Sequence, residues 1–552
     1  MKKTFLRSVS WHRRGALLLA GLTFAVGAAV PAAAAQVRVS TLLQPPPPAE
    51  MPALSMKDNA IQLSIDQAIE IALQRNLQIV VQRYVRNQTQ LTIAGALGYY
   101  DLNLTGSADI IDQRGPVINL STFTSQGRSN DFGVGLDQNL PTGGNVSVGV
   151  DNSYTPFTRT AKGLPVDATY GTGITFTFDQ PLLNAYGQLA AERNILVAQT
   201  NSLVSRGDFA LQVTTITQAV VNAYWTLVNN REQLTVARES LQLARDLNER
   251  NRIQVQVGTL APLDITQSEA AIATRDEAII QATSAVGDAE DTLRQLMNFP
   301  SGALWSTPIV PTSDPVTGEK VTAHVDEALR IAFEQRPELH SDLLHLQQAK
   351  VDAEYYRSLL KPTLGLHVQY GYKGTGLQFN NAFSQVTGLD FRSWQASLAF
   401  KYPLQNRVAR AASASANIDV DRNAQLYEQE KKVVETEVRR ATRGLDTAIK
   451  AIEAARIARE FQDKNLDAEK KRYENGMSTA FQITQIQDQL TQARSQEVTA
   501  TVNYRTALAE YYRSIGRLLD QEGIVLDDPL APDYRTQRFS FRRGLLPGEA
   551  RR

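Results

Sequence analysis

Cysteine is absent from all 552 residues, histidine occurs only five times, and beyond the N-terminus no long apolar run escapes interruption by Arg, Lys, Asp, Glu or Gln. Each absence removes a class of explanation. Without cysteine there is no disulfide staple and no acylated thiol to make a lipoprotein. Past residue 35 the histidines are His324, His340, His345 and His367; His340 and His345 are five apart, too far round a helix to share a metal ion well. Neither a metalloprotease His-Glu-x-x-His pattern nor a glycine-rich phosphate cradle occurs, and Gly143-Gly144 reads as a turn. A non-enzymatic role without cofactor or metal is expected. Basic and acidic residues balance at 57 each, so no face for nucleic acid is implied. Because the apolar runs fall short of the ~20 residues of a helical span, entry into a membrane must be as a closed β-barrel.

The start of the chain carries an export signal. Lys2, Lys3, Arg7, Arg13 and Arg14 are basic, Ala16 to Ala29 is a short apolar run, and Ala33-Ala34-Ala35 offers small-x-small cleavage, so 1–35 reads as a signal peptide. Arg13-Arg14 lacks the context of a twin-arginine signal. Removing these five basic residues leaves the exported chain about five negative. Residues 36–60, with Pro45-Pro46-Pro47-Pro48, read as a flexible leader, and 521–552, arginine-rich toward its end, as a disordered tail.

Between leader and tail the chain is written twice, over 61–300 and 301–520. The segment from Ile65 to Asn76 recurs from Val325 to Arg336 with the same apolar positions and the same aspartate, Asp66 and Asp326, near a helix start. Strand-like alternation follows in each half, over about 101–180 and about 363–402, ending in Gln180-Pro181-Leu182 and Tyr402-Pro403-Leu404. Long helical stretches come next, over about 185–298 and about 406–518. Each is broken by one glycine turn, Val257-Gly258-Thr259 and Asn475-Gly476-Met477, and Leu263-Asp264-Ile265-Thr266-Gln267 after the first matches Phe481-Gln482-Ile483-Thr484-Gln485 after the second.

A helix from Asn406 to Tyr473 would reach about 100 Å at 1.5 Å per residue, so it must be paired along its side. The seam is visible. Val213, Val220, Leu227, Leu234 and Leu241 recur every seventh residue, with Ile216, Ala223, Ala237 and Ala244 in the companion register and Asn230 as the polar exception. Val438, Leu445 and Ile452 beside Ala441, Ala448 and Ala455 repeat the theme, and Ile265, Ile272, Ile279, Val286 and Leu293 keep it after the first turn. Alanine in one register predicts closely packed antiparallel coiled coils.

The strand segments are where a membrane would be crossed, since about ten residues suffice for a tilted strand. One chain has too few to close a barrel, so several copies must pool theirs. A small soluble β-domain on the coils is the alternative. The first strand region is about twice as long as the second, and Pro141-Thr142-Gly143-Gly144 lies between two alternating runs, which predicts an added hairpin over 131–151 and up to six strands per chain.

This order, together with the Asp-x-Ala-Ile-x-x-Ala motif at Asp66 and its copy at Asp326, resembles the TolC-like outer-membrane efflux protein family over nearly everything from Ser64 to Leu519. The resemblance implies a mainly α fold with a β-barrel portion: a homotrimer pooling four strands per chain into one barrel in outer-membrane lipid, above a periplasmic tunnel of coiled coils. Segments 63–83, 300–348 and the C-terminal region would form an equatorial belt. It implies an outer-membrane channel subunit of a tripartite efflux pump or type I secretion system, with a periplasmic adaptor and an inner-membrane pump of RND, ABC or MFS type as partners. It places a gate at the helix-turn tips, around Gly258, Gln267 and Gly476. Asp264 and Tyr473 match the aspartate and tyrosine of the family's latch, Ser478 stands where its arginine would be, and Gln482 and Gln485 occupy the positions of its aspartate rings. A ring of amides holds no fixed charge, so a less cation-selective tip is expected. Outside this family, a coiled-coil envelope structural protein or adhesin is the remaining alternative.

Overall fold

A computed structural model describes residues 55–113, 127–156, 158–159, 165–258, 260–302, 304–315 and 321–526. The signal segment 1–35 and tail residues 527–552 lie outside them. Chain order begins earlier than expected. Within the segment read as a leader, β1 (Ser55–Lys57) turns through Asp58 and Asn59, both at positive φ, into β2 (Ala60–Leu63). Two successive left-handed residues make the tight hairpin turn that Asp and Asn tolerate best. Helix α1 (Ile65–Arg75) then opens on a capping box, Ser64 and Gln67 each bonding the other's backbone N–H.

From α1 the chain runs through α2 (Leu77–Leu97) into β3 (Asn103–Gln113), β4 (Gly127–Asn139), β5 (Asn145–Thr155), the short pair β6 (Thr158–Arg159) and β7 (Pro165–Val166), and β8 (Thr169–Pro181). The first coil is α3 (Gln188–Gln256) and α4 (Pro262–Leu296), followed by β9 (Ile309–Pro311). The second half repeats the plan: α5 (Val325–Gln335), α6 (Pro337–Ser358), β10 (Thr363–Gly376), a short helix α7 (Phe379–Thr387), β11 (Arg392–Lys401), then α8 (Arg407–Glu474), α9 (Ala480–Ser514) and α10 (Leu518–Gln521). Helix α7 interrupts what reads as continuous strand. It packs so tightly on β10 that a Cβ on Gly374 would meet the carbonyl of Ala382.

Six strands form one antiparallel sheet in the order β11-β10-β8-β5-β4-β3. The hairpin expected over 131–151 is β4 and β5, paired from Asn130↔Tyr154 to Asn139↔Asn145. Its turn is held to the head of the first coil: the Gly187 N–H donates to the Thr142 carbonyl at 3.0 Å, and the Gln180 amide donates to the same oxygen at 3.0 Å. Gly143, at φ +83°, has the Ala185 carbonyl where a Cβ would point.

The register sorts the side chains into two faces. Leu104, Leu136, Val148, Phe176, Tyr370 and Trp394 are successive partners across all six strands and share one face. On the other face, Asn103, Asp137, Ser147, Thr177, Gln369 and Gln395 form the neighbouring row, with Asp109, Asp131, Asp151 and Asp179 above and below it. The apolar face is open: Trp394 is 72% accessible and Leu104 75%. Such a face on both edge strands is what lipid would cover. No helix among the described residues is long and apolar enough to cross a membrane.

The core lies about midway along the first coil, in a belt where α1, α2 and the three-stranded sheet β1-β2-β9 wrap it. Ile61, Leu63, Ile71, Ile79, Val213, Val220, Tyr224, Leu227, Leu293, Met297 and Ile309 are buried together. The Tyr224 hydroxyl donates to the Leu63 carbonyl at 3.1 Å and accepts from the Ser313 N–H at 3.0 Å, pinning this sheet to α3. A second cluster, with Leu339, Val434, Val438, Leu445, Tyr504 and Tyr511, does the same for α5, α6 and the second coil.

Helix α3 has 69 residues and α8 has 68, each about 100 Å long. Their own seams stay buried to the turns, at Leu247 and Asn251 on α3 and Leu466 and Tyr473 on α8, while that of α4 loses cover. On α4, Leu293 is fully buried and Val286 nearly so, while Ile279, Ile272 and Ile265 are only half-buried. Asn230, the polar exception, donates to the Ala285 carbonyl at 2.9 Å across the coil.

Candidate functional site at the helix-turn tips

Both coils reverse through a glycine in the left-handed region, Gly258 at φ +78° and Gly476 at φ +72°, with open space where a Cβ would stand. The demand is on the backbone: only there can the last turn of a helix close on itself and release the chain. Gly258 N–H donates to the Val255 carbonyl and Gly476 N–H to the Tyr473 carbonyl, each at 3.0 Å, and Met477 N–H completes the second cap on the Arg472 carbonyl at 2.9 Å. The outgoing helices restart differently. Pro262 occupies the first turn of α4, with Asp264 beside it, whereas the Thr479 hydroxyl caps α9 by accepting from the Gln482 N–H at 3.3 Å.

Tyr473 is the centre of the tip. It is buried with Leu247, Leu466, Ala480, Ile483 and Leu490 in a small apolar cluster that joins the two coils of one chain. Its hydroxyl lies 2.8 Å from both Asn251 Oδ1 and Gln254 Oε1 on α3. A phenol has one proton to give. Donating it to Gln254, with the Asn251 amide turned so that its NH2 faces the phenol, also serves an amide nitrogen that otherwise has no partner. Burial raises the Tyr473 pKa, Asp264 adds to the rise through its charge, and Arg250 opposes it. Asp264 therefore sits in the field of Tyr473, but the hydrogen bonds of that phenol go to amides.

Ser478, in the place where the resemblance puts an arginine, is tied down twice: its hydroxyl bonds the carboxylate of Glu469, and it approaches Gln482 Oε1 at 3.0 Å. Glu469 is itself buried and paired with Arg472 at 3.2 Å. Gln482 and Gln485 are exposed on the first two turns of α9, and Gln267 is exposed on the first two turns of α4. Ser478 and Gln482 are thus brought together, and Tyr473 with Asp264 by proximity of charge; Gly258 and Gly476 each close their own coil. Among the described residues no group of His, Asp and Glu could hold a metal ion.

The charged links between the coils were not legible as site residues. Arg275, buried, donates to the Ser240 hydroxyl at 3.0 Å and to Asp488 at 2.7 Å, joining α3, α4 and α9. Arg494 bridges Glu239 at 2.8 Å and Asp463 at 3.1 Å, joining α3, α8 and α9. A signal existed: Ser268, Arg275, Ala282 and Ala289 fall seven apart, so Arg275 is a cation in a seam register.

The sequence model of the outer membrane efflux protein family matches residues 166–298 and 328–517, more than half of the chain. No curated protein matches the sequence at a significant level. Among solved structures, the Campylobacter jejuni CmeC outer membrane channel is similar at a TM-score of 0.61 and 13% identity, over 87% of this chain and 94% of that one. The Vibrio cholerae outer membrane protein VceC is similar at 0.61 and 12%, over 82% and 96%. The open state of the Neisseria gonorrhoeae MtrE outer membrane channel is similar at 0.56 and 16%, over 86% and 98%. At these identities the likeness is one of fold.

Proposed function

The chain belongs to the outer membrane efflux protein family, and from that premise we propose that three copies form the outer-membrane exit duct of a tripartite efflux pump or type I secretion system, fed through a periplasmic adaptor by an inner-membrane pump. The observation that carries this reading is the joining, in one chain, of a sheet whose apolar face is exposed on every strand to coils about 100 Å long that leave Ile253, Leu263, Phe461 and Phe481 exposed toward their turns. Lipid would take the first surface and neighbouring copies the second. A structural rod or adhesin would leave the apolar face uncovered. Detergent extraction of outer membranes should yield a trimer that conducts in a planar bilayer, exported with its first 35 residues removed; a water-soluble monomer with no affinity for lipid refutes the proposal.

The tip is the gate in this reading, with Asp264, Gln267, Tyr473, Ser478, Gln482 and Gln485 around Gly258 and Gly476. Tyr473 holds the two coils of each copy together, so Tyr473→Phe should raise the leak of the closed state several-fold. The cost is about 1–3 kcal/mol per copy, because the Asn251 and Gln254 amides lose their partner. Single-channel recordings that show no added opening would remove Tyr473 from the gate.

Selectivity should reside elsewhere. Gln482 and Gln485 carry no charge, whereas Asp109, Asp131, Asp137, Asp151 and Asp179 line the polar face of the sheet. In a salt gradient, Asp131→Asn with Asp151→Asn should shift the reversal potential toward zero, and Gln482→Ala with Gln485→Ala should leave it in place. The opposite assignment of effects would return the filter to the tip.

A further inference from the structure

Six strands of this chain form one sheet, and the two at its edges lack a second partner among the described residues. β3, with 11 residues, and β11, with 10, are the two edges, and both are close in length to the strands between them, which have 11 to 14. In hydrocarbon a free edge is not sustainable, since unpaired N–H and C=O groups have no water to bond. Both edges must therefore be sealed.

The hairpin that separates β3 from β8 belongs to the membrane wall. Leu104 on β3 and Leu136 on β4 continue the apolar row of Val148, Phe176, Tyr370 and Trp394, and Asn103 and Asp137 continue the polar row. A plug inside the pore would not carry an outward apolar face in register with the strands beside it. Nor is the hairpin loosely hung, because its turn at Thr142 and Gly143 is bonded to Gln180 and Gly187. The family match begins only at residue 166, so β3, β4 and β5 lie wholly outside it.

On the reading that the protein is a trimeric duct, we infer that β3 of each copy pairs with β11 of the next, closing an eighteen-stranded barrel with six strands from each chain. The directions agree. Edges of an antiparallel six-stranded sheet run in opposite senses, so rotation about the barrel axis brings β3 beside β11 antiparallel, as an even count requires. Barrel diameter grows roughly linearly with strand number, so this exit is about half as wide again as one built from the four strands per chain that the family resemblance implies. The coils below it still number two per chain, and the constriction stays at the tips while the mouth widens. The partner surface of this inference is a second copy of the same chain, met along a β-edge.

The native chain has no cysteine, which makes the test direct. Thr105→Cys on β3 is combined in turn with Ser393→Cys, Gln395→Cys or Ser397→Cys on β11, all on the polar face. On oxidation of outer membranes at least one pair should convert most of the protein into covalent dimers and trimers, and Ser147→Cys or Gly149→Cys on β5 combined with the same partners should give none. Imaging of the trimer in nanodiscs should count eighteen strands. Crosslinking of β5 to β11, no crosslink from β3 in any pairing, or a count of twelve overturns the wide barrel while a conducting trimer stands. A chain that forms no trimer and enters no membrane overturns the duct itself.

Discussion

Phe176→Arg should nearly abolish trimer in the outer membrane, and Thr175→Arg, one residue away, should leave it close to the level of the unaltered protein. The two positions occupy the middle of β8 on opposite faces: Phe176 is the register partner of Val148 and Tyr370 in the apolar row, and Thr175 pairs with Gly149 and Gly371. A guanidinium at the lipid midplane costs about 2–4 kcal/mol, and a trimer meets that cost three times. On the polar face the same group stands in water, with Asp151 two residues along the neighbouring strand, where its charge is welcome. Phe176→Ala separates charge from size, since it removes contact area without bringing a charge and should lower trimer yield only modestly. The readout is the amount of trimer in outer-membrane fractions on unheated gels. Equal loss in both arginine variants would mean that the two faces are not lipid and lumen. Loss in Thr175→Arg alone would reverse their assignment.

The faces were readable in advance because strand alternation is a local property. Ile174, Phe176 and Phe178 declare one side of β8 whatever lies next to them. The same holds for the seams, where Val213, Val220 and Leu227 announce their burial by spacing alone, and for the duplicated glycine turns. What escaped was set by contacts distant in sequence. β1 and β2 follow a run of prolines and are too short to alternate, and they become strands because Ile61 and Leu63 pair with Ile309 and Pro311 across the belt. Helix α7 hides because Leu377 to Phe391 is apolar enough for strand, and it becomes a helix where Gly374 and Gly376 let its backbone approach β10.

The tip shows the same division. Gly258, Gly476 and the residues after them could be aligned between the halves, so the location of the tip was legible. Its bonding was not. The resemblance pairs Tyr473 with Asp264, and within one chain its hydroxyl reaches Asn251 and Gln254, more than two hundred positions away. Asn251 and Glu469 occupy corresponding places in the two repeats, as Gly258 and Gly476 do. The duplicated positions have diverged so that one copy carries an amide for Tyr473 and the other a carboxylate for Ser478 and Arg472.

A duplicated junction in the belt gives the second large effect. Asn76 and Arg336 are the matching residues where the first two helices of each repeat meet, and each reaches a matching carbonyl at the end of the returning coil: Asn76 donates to Leu296 at 2.8 Å, Arg336 to Ser514 at 3.4 Å. Both are buried, at 5% and 4% accessible. The chemistry differs. Asn76 is neutral, so Asn76→Ala should cost about 1–3 kcal/mol at any pH between 5 and 8. Arg336 also holds Glu338 at 3.0 Å and Glu437 at 2.9 Å, and its loss leaves Glu338 without its ion pair and Glu437 with Arg513 alone at 3.7 Å, so Arg336→Ala should cost about 3 kcal/mol at neutral pH. Nearby, burial already raises the Glu430 pKa, Asp342 and Glu338 add to it, and Arg336 opposes the rise. A carboxyl whose folded pKa is raised costs stability while ionised and is relieved as pH falls through that value. Without Arg336 the rise grows, so the deficit of Arg336→Ala should shrink as the medium is acidified, while that of Asn76→Ala stays flat. Thermal unfolding of the trimer from neutral pH to about 5 reads both slopes. Parallel slopes would show that the guanidinium acts as packing rather than as the counter-charge of the belt.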